Sequence, residues 1–271
     1  MPTLYVVATP IGNLEDVSFR ALRVLREVKL IAAEDTRKTK RLLAAYEIKT
    51  PMTSYHEHNK LTKLDYILGC LEEGDVALVS EAGTPGMSDP GYELIKVSHE
   101  RGIPVVPIPG PSVVTTALTA SGLPTNRFTY LGFLPRKTGE RRRLLESIAN
   151  QPDTIIILEA PHRLRASLKD LLLTLGDRRI AVCRELTKLH EEIFRGTISE
   201  AIEHFPEPRG EFTLVVTAQE TPEKPQLTED IETQLRRLRR SGMTAKDAVA
   251  KLAGETGLSK KALYQAWLKL A

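Results

Sequence analysis

Val76-Ala-Leu-Val-Ser-Glu-Ala-Gly-Thr-Pro-Gly-Met-Ser-Asp-Pro-Gly91 passes from four apolar residues into two turns rich in Gly and Pro, and then into a segment of helical period. Val76 to Val79 show no polar alternation, so they predict a strand buried on both faces, as in a parallel sheet. A loop leaving such a strand lies at the carboxyl edge of the sheet, where open α/β sheets bind their ligands. Within it, Asp89-Pro90 predicts a helix N-cap followed by proline at the first helical position, which needs no ligand. Gly83 to Gly86 is more than a cap requires, and leaves bare backbone that a ligand can approach closely.

The same order of strand, loop and helix recurs on both sides of this stretch. Residues 3–8 predict a first strand running into Ala8-Thr-Pro-Ile-Gly-Asn-Leu14, and Phe19, Leu22, Leu25 and Val28 mark one face of a helix over 18–28. Leu30 to Ala33 predict a second strand ending at Glu34-Asp35. A helix from about residue 59 places Leu61, Leu64, Leu68 and Leu71 on one face and stops at Gly74. Ile103 to Ile108 predict a strand running into Pro109-Gly-Pro-Ser-Val113, with Ser112 as the cap of the next helix. These units predict an α/β domain over residues 1–122, built on a mostly parallel sheet.

Gly122-Leu-Pro124 reads as the hinge to a second α/β domain over 123–218. Its strands are expected at 129–133, 154–158, 180–184 and 212–217, with helices near 139–149 and before Gly176. Thr197-Ile-Ser-Glu200 has the form of a capping box. Residues 219–226, rich in Pro and Glu, predict a linker. The remainder, 227–271, predicts a small helical extension resembling a helix-turn-helix: a helix over 228–240, a break at Ser241-Gly242, a second helix opened by Thr244, and a last one capped by Ser259 and running through Trp267.

A chain of 271 residues accommodates two such domains with a cleft between them. No run approaches the ~20 apolar residues of a spanning helix, so no membrane partner is expected. Met1-Pro-Thr-Leu-Tyr lacks a basic region and reads as the start of a strand rather than a signal peptide. Two isolated cysteines, Cys70 and Cys183, fit a reducing, cytoplasmic compartment and argue against a cysteine metal site. The net charge is +3, but residues 227–271 hold nine Lys and Arg against five Asp and Glu, so the whole positive excess sits in the tail. That asymmetry points to a polyanion. Neither Gly-x-Gly-x-x-Gly after the first strand nor a Walker sequence is present, which disfavours nicotinamide dehydrogenases and P-loop nucleotidases.

Five motifs taken together resemble the tetrapyrrole-methylase superfamily, and most closely its branch acting on small-subunit ribosomal RNA. They are Thr9-Pro-Ile-Gly-Asn-Leu14, Ala33-Glu-Asp-Thr-Arg37, the loop Ser80 to Gly91, Pro109-Gly-Pro-Ser112 and Arg184-Glu-Leu-Thr-Lys188. The resemblance spans residues 4 to about 217 and extends to the helical tail. It implies two α/β domains, a homodimer, S-adenosyl-L-methionine in the interdomain cleft, and 2′-O-methylation of cytidine 1402 in 16S ribosomal RNA of the 30S subunit. Carried onto this sequence, the family's cofactor contacts fall on Pro10, on Gly83, Thr84, Pro85 and Met87, and on Ser112 and Val113. Looser matches fall on Leu158, Glu159, Phe212 and Thr213. The tetrapyrrole enzymes carry Asp where this chain has Thr84, so contacts there are expected from backbone.

A ribose hydroxyl is a poor nucleophile until its proton is taken. Asp35, at the end of the second strand, is the first choice of base, with its alternative reading a cap for the following helix; Glu81 and Glu34 are further choices. Lys188 qualifies if burial or Arg184 depresses its pKa, and is otherwise expected on phosphate. Arg37, His56, Asn59, Arg136 and Arg184 are expected at the RNA. His56 and His58 stand one residue apart with no third ligand in sight, so no metal is expected. In the tail, Arg236, Arg237, Arg239 and Arg240 are expected on phosphates, against the competing expectation of a packing module with Leu263, Trp267 and Leu268 buried. The rival functions are a methyltransferase for a tetrapyrrole precursor and a ligand-sensing regulator that binds DNA.

Overall fold

The computed structural model describes residues 2–218 and 227–269, and the chain forms two compact units, Met1–Gln219 and Glu220–Ala271. The linker expected at 219–226 lies outside the described residues. In the first unit, β1 (Leu4–Val7), β2 (Leu30–Ala33), β3 (Met52–Ser54), β4 (Val76–Val79) and β5 (Val105–Ile108) make a sheet in the order β3-β2-β4-β1-β5. Every pairing in it is parallel. The connections are α1 (Phe19–Glu27), α2 (Thr36–Ala45), α3 (Lys60–Glu73) and α4 (Tyr92–Glu100). All four residues of β2 and of β4 are buried, because alternate side chains enter two different cores. Val7, Ile31, Ala77 and Val79 pack with Leu22 and Leu25 of α1, whereas Leu4, Ala32, Val76 and Leu78 pack with Ile67, Leu68 and Leu71 of α3.

Three local expectations are corrected. Phe19 is 92% exposed, because it opens α1 directly after the Ser18 cap and the inward stripe starts at Ala21. Leu61 lies in the first turn of α3 and is exposed, ahead of the stretch that Ile67, Leu68 and Leu71 press onto the sheet. The helix after β4 starts at Tyr92 with Gly91 in the N-cap position, so Asp89 is not its cap.

The second sheet is mixed, which limits the expected parallel pattern to the first. Following α5 (Val113–Ser121) come β6 (Phe128–Phe133), α6 (Thr138–Ile148), β7 (Thr154–Glu159), α7 (Pro161–Leu175), β8 (Arg179–Arg184), β9 (Glu192–Thr197), α8 (Ile198–His204) and β10 (Phe212–Val216). The strand order is β6-β7-β10-β8-β9. Only β6 and β7 run parallel; the other three pairs are antiparallel. Strand β9 escaped the sequence reading. The capping box at Thr197 and Glu200 forms as its residues predict. Helix α5 follows β5 in sequence, yet Val114, Ala117 and Leu118 bury against Ile156, Ala181 and Val215 of the second sheet. Arg195 of β9 donates to the carbonyls of Ala120 and Ser121, where cations suit the carboxyl end of a helix.

The second unit holds α9 (Glu229–Arg240), α10 (Ala245–Thr256) and α11 (Lys260–Lys269) around its own core of Leu235, Val249, Leu252, Leu263 and Trp267. Thr244 and Ser259 cap α10 and α11 by accepting from the Asp247 and Ala262 amides, each at 3.2 Å. Leu268, expected in the core, is exposed. Arg236, Arg237 and Arg240 are exposed on α9. Arg239 instead donates to the Trp267 carbonyl at 3.2 Å and lies over the indole ring. Among the described residues, no helix is long and apolar enough to cross a membrane.

Candidate active site

In a parallel sheet the loops that leave the strands share one edge, and here three of them touch. The amide of Thr9 donates to the carbonyl of Gly83 at 2.9 Å, and the Gly83 amide returns the bond at 3.0 Å, so the loop after β1 is stitched to the loop after β4. Gly83 sits at φ +77°, a region open to glycine at no steric cost. The loop after β5 closes in from the other side: a Cβ on Gly110 would lie 3.1 Å from Ala8 Cβ. Ser112 then occupies the N-cap position of α5, but its hydroxyl makes no cap hydrogen bond.

These loops and the second sheet enclose a cavity of about 460 Å³. Gly83, Thr84, Met87, Ser112 and Val113 line it from the first sheet's side; Leu158, Glu159, Phe212 and Thr213 line it from the second. Nine of the eleven residues expected at the cofactor are thereby brought together. Pro85 is buried behind its loop, and Pro10 faces a smaller neighbouring hollow. Ser88 and Tyr130 share a hydrogen bond of 2.8 Å across the two halves. A bulge in β6 places Gly132 beneath that contact, at φ +63°, where a Cβ would lie 2.8 Å from Ser88 Oγ. Glu159 is locked, accepting from the Ser167 hydroxyl and pairing with Arg163 at 3.3 Å.

Carboxylates crowd one side of the cavity. Burial pushes Asp89 up to about 7; the charges of Glu34 and Glu81 add to the rise, and a hydrogen bond from Ser80 opposes it. Glu34 is also raised by burial, although it accepts the Glu81 amide at 2.9 Å. Glu81 lines the cavity and pairs with Lys38. Asp35 does not line it. Its carboxylate caps α2, accepting the amides of Arg37 at 2.8 Å and Lys38 at 3.3 Å, and the Arg37 guanidinium holds its pKa below the usual range. Lys188 reverses its expectation. Burial favours the neutral amine, but hydrogen bonds to Glu211 and Glu185 outweigh that, leaving its pKa raised.

Five residues expected at the RNA stand away from the cavity. Arg37 is tied to Asp35, and Arg136 is exposed before α6. Asn59 closes the turn after β3, accepting the His56 amide at 2.8 Å and donating to Ser54 Oγ at 2.9 Å. Arg184 pairs with Glu192 at 3.0 Å and donates to the Arg209 carbonyl. Conversely, the sequence reading missed Ile11, Asp89, Tyr130 and Glu211 as lining residues. Glu211 had a signal, since it directly precedes Phe212; Asp89 was hidden by its resemblance to a cap.

Residues 3–202 match the family Tetrapyrrole (Corrin/Porphyrin) Methylases, and residues 225–271 match the RsmI C-terminal HTH domain. The chain is 48% identical over 275 residues to Ribosomal RNA small subunit methyltransferase I of Synechocystis sp., a match covering 100% of this chain and 99% of that protein. It is 49% identical over 223 residues to the protein of the same name from Thermotoga maritima, covering 81% of this chain and 100% of that one. Uroporphyrin-III C-methyl transferase from Thermus thermophilus, solved in complex with S-adenyl homocysteine, superposes with a TM-score of 0.58 at 22% identity, over 80% of this chain and 97% of that one, and so shares the fold. The chain therefore belongs to the tetrapyrrole methylase family, and within it to the ribosomal RNA small subunit methyltransferase I group.

Proposed function

We propose that the protein transfers the methyl group of S-adenosyl-L-methionine to the ribose 2′-hydroxyl of cytidine 1402 in 16S ribosomal RNA, as a cytoplasmic homodimer acting on the 30S subunit. The cavity between the two sheets carries this reading. Its volume of about 460 Å³ falls within the range of cofactor sites, and it joins bare loop backbone, apolar side chains and acidic groups. Gly83 to Met87 and Ser112 to Val113 would hold the cofactor from one side, and Leu158, Glu159, Phe212 and Thr213 from the other. Bound there, S-adenosyl-L-methionine supplies an electrophilic methyl group whose bond to sulfur breaks as the bond to the ribose oxygen forms. Burial raises the carboxyls of Glu34 and Asp89, and a cationic ligand beside them would favour their ionised forms. The neighbour solved with S-adenyl homocysteine supports the same choice. Of Asp35, Lys188 and Glu81, Glu81 lines the cavity, and its carboxylate takes the hydroxyl proton.

The relatives' shared name supports ribosomal RNA over a tetrapyrrole as substrate. The homodimer rests on the resemblance to the family. Sedimentation at micromolar concentration should give a dimer. The test of function is methyl transfer from labelled cofactor to 30S subunits, naked 16S RNA and a tetrapyrrole precursor in parallel. Label on a single ribose, mapped to cytidine 1402, is expected; label on the tetrapyrrole alone would replace this reading. Exposed Arg236, Arg237 and Arg240 suit phosphates. Deleting residues 227–271 should flatten the salt dependence of subunit binding by roughly one log-log unit per lost contact while cofactor affinity stays unchanged. An unchanged slope would make the tail a packing module.

A further inference from the structure

Beside the cofactor cavity lies a second hollow of about 320 Å³, and the two share one wall made of Ile11, Glu81, Ala82 and Glu211. Its other residues differ in kind from those of its neighbour. Lys38 and Arg41, one turn apart on α2, stand in it with Lys188 from the second half of the unit. Lys38 pairs with Glu81, and Lys188 with Glu211 at 2.8 Å, so two cations are held by the carboxylates of the shared wall. Gly12 fixes this arrangement, since a Cβ there would fall 2.5 Å from Lys188 Cγ. Thr9 also lines the hollow; it is 4% exposed, and its hydroxyl has no hydrogen-bond partner. A buried hydroxyl left unpaired is uncommon in a folded protein, and this one lies behind the surface of the hollow, out of reach of a ligand there.

We infer that this hollow receives one nucleotide of the RNA, swung out of its stack, with its sugar at the shared wall and its flanking phosphates on Lys38, Arg41 and Lys188. The inference rests on the ribosomal RNA methyltransferase reading above. A volume at the low end of small-ligand sites suits a single nucleotide and excludes a four-ring macrocycle. A ribose can reach a recessed wall only if its nucleotide leaves the stack, as in other enzymes that act within nucleic acids. Cations on two sides of a narrow site match an acceptor that carries a phosphate at each end.

Arg41→Ala removes an exposed cation without touching the core, and Arg41→Lys keeps the charge in place. Each would be measured for its affinity for cytidine 5′-monophosphate in the presence of S-adenosylhomocysteine, for KM with 30S subunits, and for S-adenosyl-L-methionine affinity and melting temperature. Expected are a loss of nucleotide affinity of about tenfold for Arg41→Ala and of about threefold for Arg41→Lys, KM raised in step, and cofactor affinity unchanged. Wild-type methylation of subunits with both variants equal to wild type in nucleotide affinity and KM would overturn the nucleotide site and leave the RNA reading standing. A wild-type protein that methylates no ribosomal RNA would overturn the RNA reading itself, and the inference with it.

Discussion

The two adjoining cavities share a wall yet are built from opposite materials. The larger is walled by glycine loops, apolar side chains and a carboxylate, Asp89, whose nearest charged neighbours are also acidic. The smaller presents three cations, Lys38 and Lys188 paired with carboxylates and Arg41 exposed beside them. Excess negative charge in a partly apolar site favours a cation with a large apolar body, whereas paired cations can exchange a carboxylate for an incoming phosphate. On the proposed assignment, the difference teaches that donor and acceptor would be told apart by charge before any contact with the reacting atoms.

The largest expected effect is on the larger cavity alone. Gly83 is bonded to Thr9 through both its amide and its carbonyl, at a backbone angle that β-branched residues avoid. Gly83→Val should therefore move the loop and abolish measurable cofactor binding by calorimetry. Wild-type affinity in the folded variant would remove the loop from the cofactor site. The shared wall comes next. Glu81→Gln should lower kcat by about 100-fold or more with little change in cofactor affinity. Asp35→Asn should leave turnover near wild type, because Asn caps a helix about as well as Asp; Asp35→Ala should cost about 1 kcal/mol of stability, read by denaturant titration. A reversal, with Asp35→Asn inactive and Glu81→Gln active, would restore Asp35 as the base and break the role given to the wall.

What the sequence disclosed follows from the range of the forces involved. Val76 to Val79 announced a parallel sheet because burial on both faces leaves its mark within four consecutive residues. The cofactor loops were legible because glycine, proline and a following helix are local signals. Resemblance to a family then joined Leu158 and Phe212 to loops far away in sequence. The second hollow was not legible as a unit: Thr9, Arg41, Lys188 and Glu211 meet only through folding, and no spacing records it. His56 and Asn59, expected at the RNA, stand away from the cavity for the same reason, since a polar cluster that closes its own turn looks in sequence like one that faces a ligand. Strand β9 was missed because Glu192-Ile-Phe-Arg-Gly-Thr197 pairs only as an edge, half-buried except at exposed Arg195.

Asp89 gives the smallest effect and the sharpest contrast between the two cavities. Its ordinary pKa of 3.8 is raised to about 7 in the folded protein, by burial first and by the facing carboxylates of Glu34 and Glu81. The fold therefore prefers the protonated acid. Stability from this preference is fully present below about pH 4 and is lost as pH rises through 7, because the unfolded chain releases its proton earlier. Asp89→Asn holds the neutral form at every pH. At pH 8 the variant should melt higher than wild type by about 3 °C, roughly what 1 kcal/mol makes in a protein of this size, the full linkage being reduced because the carboxyl is partly exposed. At pH 4 the two should melt together. A cationic cofactor would reverse the preference locally, so wild-type affinity for S-adenosyl-L-methionine should climb between pH 6 and 8 while that of Asp89→Asn stays flat. If the melting difference is the same at both pH values, the carboxyl does not titrate beside the cavity, and the charge contrast between the two sites loses its anchor.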